Sequence, residues 1–487
     1  KSGEIIKRRD ICIPLSPYLP VKCDCLMNGN GSINEESIAL RDIVGGSTKY
    51  FFDEIWQRAC VVYTGSSRND RIENNSEVFN LSLAQSSPYQ EIVRCGWNSL
   101  INLLENSRER FEYPANDDVD PPLLFLDREL VQPEMYNNSL FHAYLNGCSV
   151  VINHADEVCP YLATLCQDLQ LSLPHVYANT YLTPPDSQAV PPHADDRDVL
   201  IFQLHGKKRW RIYKNIPIPY PYPHEQVGKN GLDVPNEVLN GPLIIDKVLE
   251  VGDVLYMPRG FVHEAQTLPN EPSYHATIAV ATHDWTLAGL MTTATQHILH
   301  RNIAYRKGLP VHLGRSSVSA DDDIRSLQSQ IDAAFSALRN DITAESVIRN
   351  LVHRYDRHNT RCDTIRNAVM SLQEPNLTMN HLIHVVGRDA ARKVNLQSTL
   401  RVATAEEKES ISRALPSLTR GLHVREAAAD VILGILAQWK RIDGTTCRVK
   451  DVRSWISPIT PVVCDLTLLC FAKTCVELGA LAVVSID

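Results

Sequence analysis

The chain has 487 residues, more than one ordinary domain uses, so roughly two to four domains are expected. Hydrophobic residues make up 44% and charged residues 22%, with a net charge of −9. That is a globular composition, and it excludes a protein that coats nucleic acid through bulk positive charge. The thirteen cysteines are scattered without a framework, Cys23-Asp-Cys25 being the nearest approach to a motif, so free thiols are expected. No run approaches the roughly 20 apolar residues of a membrane helix.

Residues 1–36 read as a mixed tail with a small basic cluster (Lys7, Arg8, Arg9) and a Gly/Asn-rich stretch. Phe51-Phe-Asp-Glu-Ile-Trp56 predicts a short amphipathic helix. Residues 64–95, rich in Ser and Asn, predict an exposed insertion. From about 120 to 285 short apolar runs alternate with Gly, Pro, Asn and Asp, as in Val199-Leu-Ile-Phe-Gln-Leu204, Arg209-Trp-Arg-Ile-Tyr213, Asp253-Val-Leu-Tyr-Met257 and His275-Ala-Thr-Ile-Ala-Val280. Many short strands at this spacing predict a sandwich or barrel. Residues 216–235, with seven prolines and glycines, predict a loop between two strands. Beyond 290, Ile324, Leu327, Ile331, Phe335 and Leu338 recur at helical spacing, and Val347, Ile348, Leu351 and Val352 continue the pattern, so 290–390 reads as mainly α. The remainder predicts a small mixed domain with helices at Val424 to Trp439 and Leu466 to Leu478. Its 11 Lys/Arg against 10 Asp/Glu over 396–487 give it no basic face, and nucleic-acid binding is not supported by charge.

The chemistry is concentrated in Pro191-Pro-His193-Ala-Asp195, an H-x-D, and in His263, 70 residues later. On a strand, residues i and i+2 share a face, so His193 and Asp195 can fill adjacent coordination positions while a later strand supplies His263. Two imidazoles and one carboxylate on one side of an octahedron leave three positions open, the arrangement of non-haem Fe(II) oxygenases. Those positions accept a bidentate 2-oxo acid and then O2. Gly252-Asp253 and Pro258-Arg-Gly260 predict tight turns ahead of His263. An anionic cosubstrate needs a cation, and Lys207 and Lys208 lie in Leu204-His-Gly-Lys-Lys-Arg-Trp210. Two readings stand for them: solvated lysines of a hairpin, or a buried ammonium facing the metal. His205, His224 and His283 read as surface or hydrogen-bonded histidines, and Asp196 and Asp198 as solvated or salt-bridged.

Four blocks in order, Asn179-Thr-Tyr-Leu-Thr-Pro-Pro-Asp-Ser-Gln188, His193-Ala-Asp-Asp196, Phe202-Gln-Leu-His-Gly-Lys-Lys-Arg-Trp-Arg-Ile-Tyr213 and Gly252-Asp-Val-Leu-Tyr-Met-Pro-Arg-Gly-Phe-Val-His-Glu-Ala265, resemble the JmjC ribosomal oxygenases. These are 2-oxoglutarate-dependent histidyl-hydroxylases of nucleus and nucleolus, some also described as histone lysine demethylases. Weaker likenesses are Phe51 to Trp56, Asn146-Gly-Cys-Ser149 and Ala304-Tyr-Arg-Lys-Gly-Leu-Pro310. The resemblance implies an α+β chain: a JmjC double-stranded β-helix (cupin or jelly-roll) barrel over 37–290, after the tail 1–36. A helical dimerisation domain over 291–392 and a winged-helix-like domain over 393–487 would follow.

It further implies Fe(II) held by His193, Asp195 and His263, with 2-oxoglutarate and O2 as cosubstrates. Lys208, assisted by Tyr181, would bind the distal carboxylate of 2-oxoglutarate. Asn179 would lie near the oxo-acid end, and His275 and Thr277 would line the pocket. The implied reaction is a dioxygenase reaction on a protein substrate, a ribosomal protein or a histone tail. Histidine hydroxylation is the first expectation; lysine demethylation and a non-catalytic chromatin or preribosome scaffold are the alternatives. A homodimer through the helical domain, a nuclear location and no membrane association complete the expectation. Val150-Val151 and Ala279 depart from relatives that can carry Arg and Ser there, which bears on the substrate rather than on the iron.

Overall fold

The computed structural model describes residues 36–46, 48–65, 87–94, 103, 122–132, 140–229, 231–269, 271–309, 321–371, 390–391, 393–414, 446–452 and 465–486. The basic cluster at Lys7–Arg9, the Cys23/Cys25 pair and the helix expected from Val424 to Trp439 lie outside the described residues. The described parts of Lys1–Val280 and Ile365–Asp487 form one compact unit, and Ala281–Thr364 forms a second.

The first unit is built on two antiparallel sheets. In chain order the strands are β1 Val61–Tyr63, β2 Leu123–Leu126, β3 Glu129–Val131, β4 Ser149–Ile152, β5 Val176–Thr183, β6 His193–Ala194, β7 Asp198–Gly206, β8 Lys208–Tyr213, β9 Leu243–Leu249, β10 Val254–Met257, β11 Val262–Thr267 and β12 Ser273–Val280. The larger sheet has the order β1-β10-β7-β12-β5-β4-β2-β3 and the smaller β6-β11-β8-β9. The strand-rich stretch from 120 to 285 predicts a sandwich or barrel, and the two facing sheets are of the cupin-like kind that the resemblance implies.

Period-2 alternation sorts the side chains. On β12, Tyr274, Ala276, Ile278 and Val280 enter the core behind the large sheet, while His275, Thr277 and Ala279 line the space between the sheets. β7 does the same: Leu200, Phe202 and Leu204 go behind, and Val199 and Ile201 go between. The inter-sheet space is thus closed at one end by Cys60, Val62, Leu255, Met257, Ile212, Ile245, Leu249 and Phe261 and left open at the other. Burial of that many apolar side chains, each worth about 1.5–3 kcal/mol, holds the sheets together.

The rear core is covered by helices. Pro160–Leu169 starts with Pro at its first turn and buries Leu162, Leu165, Cys166 and Leu169. Phe51–Ile55 is a wide π-type turn following the short helix Thr48–Tyr50, rather than one regular amphipathic helix. Its Phe51 and the neighbouring Trp56 pack on Tyr256 of β10 at 5.0 and 5.7 Å between ring centroids. The exposed insertion expected over 64–95 is corrected at its end. Residues 88–94 are helical, with Tyr89 and Ile92 buried in the rear core and the Tyr89 hydroxyl donating to Gly252 O at 2.5 Å.

The tail does not stand apart from the barrel. Asp465–Glu477 buries almost its whole circumference, and Leu469, Phe471 and Leu481 share one core with Phe141 and Leu145 of the helix Leu140–Leu145. Its many apolar side chains have to be covered, and its buried Lys473 donates to Ala391 O at 2.9 Å, which joins 465–486 to the barrel's unit. A small sheet, β13 Thr399–Val402, β14 Cys447–Arg448 and β15 Leu481–Ser485, takes the order β14-β13-β15. Buried Arg366 adds a tie to the barrel. Its Nε donates to Asp156 Oδ2 at 2.9 Å, and Asp156 Oδ1 accepts from Ala178 N of β5 at 2.9 Å.

The second unit is helical. Leu287–Arg301 is capped by the Thr286 hydroxyl, which accepts from Gly289 N, and Asp321–Asp341 follows. Ala344–Ser371 begins in this unit and ends in the first.

Candidate active site

The open end of the inter-sheet space is a cavity of about 360 Å3. All eight residues singled out in the sequence line it: His193, Asp195, His263, Lys208, Tyr181, Asn179, His275 and Thr277. They come from five strands and the residue after β6, a convergence that antiparallel register produces. β11 pairs with β6 so that His263 stands opposite His193. β11 also pairs with β8, which sets Thr267 opposite Lys208. β12 pairs with β5, which sets His275 opposite Tyr181 and Thr277 opposite Asn179.

The triad is held by its backbone. The turn before β11 depends on Gly260 at φ +92°, where a Cβ would meet Ile218 O at 2.8 Å. Gly260 N donates to Asp195 O at 2.9 Å, which ties the turn to the H-x-D segment. Ligand atoms of His193, Asp195 and His263 all lie within 4.8 Å of one another. His193 Nε2 is 3.7 Å from Asp195 Oδ1 and His263 Nε2 is 3.8 Å from Asp195 Oδ2. Each ring is oriented by its other nitrogen: His193 Nδ1 lies 2.7 Å from Pro191 O and His263 Nδ1 lies 3.0 Å from Phe261 O. A carbonyl only accepts, so Nδ1 carries the proton and Nε2 presents its lone pair to the centre of the triad, as metal-ligating histidines do.

Electrostatics match. Burial, then Lys229 and His263, hold the His193 imidazole well below its ordinary pKa, and burial also lowers that of His263. Burial works against the charged form of Asp195, yet Lys229, His193 and His263 together keep its carboxyl below the usual range. At neutral pH the three side chains are therefore two neutral imidazoles and a carboxylate, the protonation state a metal ion requires. The donor set suits a divalent transition metal with imidazole and carboxylate preference.

Of the two lysines, Lys207 is exposed and pairs with Glu250 at 2.6 Å. Lys208 is only 2% exposed, and its Nζ has one hydrogen bond among the described residues, to Thr183 Oγ1 at 2.9 Å. Burial pushes its ammonium down to about 7. Nearby, Trp210 Nε1 and His275 Nδ1 are buried without a partner. Tyr181 and His275 stack with centroids 4.8 Å apart and planes 1° from parallel, and Trp210 meets His275 edge-on at 5.4 Å. A buried cation short of acceptors, beside other unsatisfied polar atoms, is the inner surface of an anion site.

Four contributors escaped sequence reasoning. Thr183 and Trp210 were legible in principle, since Trp210 is two residues from Lys208 on one strand. Arg197 and Lys229 were not. Lys229 comes from the Pro-rich loop 216–235, whose residues have no period that would aim a side chain. His224 and His283 lie outside the triad: His224 stacks on Tyr222 at 6.3 Å, and His283 Nε2 lies 3.4 Å from Asp284 Oδ1. His205 is held below its ordinary pKa by burial. Asp196 and Asp198 are fully buried rather than solvated. Asp196 pairs with Arg197 at 2.7 Å, and Asp198 accepts from Tyr256 Oη and Arg259 N. Val151 and Ala279 both line the cavity, and Val150 faces the rear core.

Residues 154–288 match the JmjC domain family. Among curated proteins, the "Bifunctional lysine-specific demethylase and histidyl-hydroxylase NO66" of Drosophila sechellia is 32% identical over 272 residues, covering 54% of this chain and 37% of the relative. Its counterpart in Drosophila mojavensis is 37% identical over 176 residues, 35% of this chain and 19% of the relative. The chain therefore matches well under half the length of these relatives. Among solved structures, Escherichia coli ribosomal oxygenase YcfD aligns over 90% of this chain and 98% of its own at 15% identity and a TM-score of 0.34. The matched segment contains every residue of the triad and the buried lysine, so residues 154–288 are similar to a JmjC domain, and the chain is similar in sequence over that region to curated proteins named as bifunctional demethylase and histidyl-hydroxylase.

Proposed function

We propose that this chain is an Fe(II)- and 2-oxoglutarate-dependent protein hydroxylase, a dioxygenase acting on a histidine side chain of a ribosomal protein. The observation that carries the reading is the convergence of a two-histidine, one-carboxylate triad and a buried, under-satisfied lysine on one cavity. His193, Asp195 and His263 would hold the iron. Bound there, the metal with 2-oxoglutarate and O2 supplies oxidative hydroxylation of a C–H bond, with succinate and CO2 as co-products.

The protein's part is placement and shelter. Lys208, made cationic by its ligand, pairs with the distal carboxylate of 2-oxoglutarate, and Thr183 and Tyr181 flank that end. Thr183 orients the ammonium through its 2.9 Å hydrogen bond. Asn179 is oriented by accepting from His154 N at 3.1 Å and lines the cavity with Thr277, where it would lie near the oxo-acid end of the cosubstrate. The stacked Tyr181–His275 pair and Trp210 close the inner end against water.

Lysine demethylation is the second reading, since the curated relatives carry both activities in their names. The charge of the cavity favours the first. Among the lining residues Asp195 is the one carboxylate, and it is already paired with Lys229 at 2.6 Å. Arg197 also lines the opening. Arg197 is itself paired with Asp196 at 2.7 Å, so a methylated ammonium would find no free carboxylate among the lining residues, whereas a neutral imidazole needs none. A non-catalytic scaffold would have no use for the buried ammonium of Lys208.

Homodimerisation through the helical segment is part of the proposal, supported by the exposed apolar positions Ile324, Ile331 and Phe335 on one helix. So are a winged-helix-like role for the C-terminal residues, supported by the small β14-β13-β15 sheet, and a nuclear or nucleolar location. Among the described residues no helix is long and apolar enough to cross a membrane.

The test is an anaerobic Fe(II) and 2-oxoglutarate titration followed by O2, with matched peptides that differ only in carrying histidine or trimethyl-lysine at the target position. Peptide-dependent succinate with one added oxygen on the histidine peptide supports the proposal. Formaldehyde from the lysine peptide would move the assignment to demethylation. Absence of both metal and 2-oxoglutarate binding would leave the scaffold reading.

A further inference from the structure

Lys229 Nζ lies 2.6 Å from Asp195 Oδ1, inside hydrogen-bonding range, so one oxygen of the triad's carboxylate is committed to an ammonium. The contact is built rather than incidental. Val227 O accepts from Ala194 N at 2.9 Å, which lays the lysine's loop along the H-x-D segment. Gly228, at φ +77°, sits so close that a Cβ would meet Pro192 O at 2.3 Å and the His193 Cα at 2.7 Å. Lys229 is the next residue, and its N donates to Gln226 O at 3.2 Å while its O accepts from Leu232 N at 3.0 Å. Its backbone is fixed on both sides, one residue from a point of contact with His193.

We infer that Lys229 is a positioning residue that restricts Asp195 to one-oxygen ligation of the metal, and so keeps a coordination position open for the cosubstrate. The inference rests on the metal-site reading above. A carboxylate beside a dication can bind through one oxygen or both. With Oδ1 paired to Lys229, Oδ2, the oxygen 3.8 Å from His263 Nε2, is left for the ion. Without the lysine both oxygens are free to chelate, and a positive charge that repels the metal is gone. Both changes strengthen metal binding, and chelation takes a position that a bidentate 2-oxo acid needs. Lys229 thus trades metal affinity for cosubstrate access.

The test uses Co2+ as probe, followed by its visible absorption and by calorimetry, on the wild type, Lys229→Met and Lys229→Arg. The expected result for Lys229→Met is Co2+ bound about tenfold more tightly, a gain of about 1.4 kcal/mol. 2-Oxoglutarate should then bind the Co2+-loaded protein at least tenfold more weakly, and its spectral perturbation should be reduced. Lys229→Arg keeps the ion pair and should restore both quantities towards wild type. Weaker or unchanged Co2+ binding in Lys229→Met overturns the inference, as does unchanged 2-oxoglutarate affinity. If Lys229→Met binds no Co2+ while the wild type does, the lysine supports the site instead of restricting it, and the inference fails while the metal-site reading stands. A wild type that takes up no Co2+ overturns both.

Discussion

Lys208 donates from the floor of the cavity to the hydroxyl of Thr183 at 2.9 Å, and that is its one hydrogen bond among the described residues. An ammonium offers three protons, so two are left for a ligand. The arrangement is costly for the empty protein and favourable for the occupied one.

Replacing this lysine should separate stability from binding. Its pKa falls from 10.5 to about 7 through burial, a difference worth up to about 5 kcal/mol. The unfolded chain holds the proton more tightly, so the penalty is full below pH 7, shrinks as pH rises from 7 to 10.5, and vanishes above. Lys208→Met should therefore raise the melting temperature at pH 7, with the advantage over wild type fading towards pH 10.5. The same variant should lose 2-oxoglutarate binding. Thermal unfolding across pH and calorimetric titration measure the two effects. A destabilised variant that still binds 2-oxoglutarate would remove Lys208 from the anion site.

Cosubstrate binding should itself depend on pH. The dianion requires the charged lysine, and the empty site begins to lose that charge near pH 7. Affinity for 2-oxoglutarate is expected to be flat below 7 and to fall about tenfold per pH unit above it, until the pKa of the bound lysine is reached. Calorimetry in buffers of different ionisation enthalpy should show proton uptake on binding at pH 8. Binding without proton uptake would mean that the lysine is already charged in the empty protein.

Removing a triad histidine should abolish metal binding without unfolding the chain. His263 is 5% exposed, but the apolar core between the sheets is formed by other residues. His263→Ala or His193→Ala should cost about 1–2 kcal/mol of stability. Co2+ or Mn2+ at about a hundred times its dissociation constant should stabilise the wild type by about 2.7 kcal/mol and leave either variant unmoved. Loss of folded protein in both variants would show that the metal is structural.

A single methyl group outside the triad should disturb it. Gly228→Ala introduces a Cβ 2.3 Å from Pro192 O, at a positive φ. The loop must move off β6, with an expected cost of about 2–3 kcal/mol and weakened metal binding, because the clash displaces the ligand His193, a loss that outweighs any gain from moving Lys229 off Asp195. Gly231→Ala is the control: its φ is +79°, but nothing lies within 4 Å of the new Cβ. Its effect should be confined to backbone strain, with metal affinity retained. Equal losses of metal affinity in the two variants would refute the steric argument.

Much of the fold and site follows from local pattern. The alternation in Ser273-Tyr-His-Ala-Thr-Ile-Ala-Val280 already separates a core face from a cavity face, because a strand's side chains have a period of two. The H-x-D spacing puts two donors on one face for the same reason. The family blocks then point to Lys208, where pattern alone favours a solvated lysine of a hairpin. What sequence did not determine depends on pairing between distant segments. That His193 and His263 stand opposite each other is a matter of β6–β11 register. That Lys208 is buried while Lys207 is exposed depends on which face of β8 turns inward. That Lys229 reaches Asp195 depends on where an aperiodic loop is pinned, and that 465–486 joins the barrel's core depends on which surface was left to cover that helix. Local periodicity is written in neighbouring residues and can be read there. Register, loop placement and shared cores are set by long-range packing, whose partners are tens to hundreds of residues apart in the chain and adjacent only once it has folded.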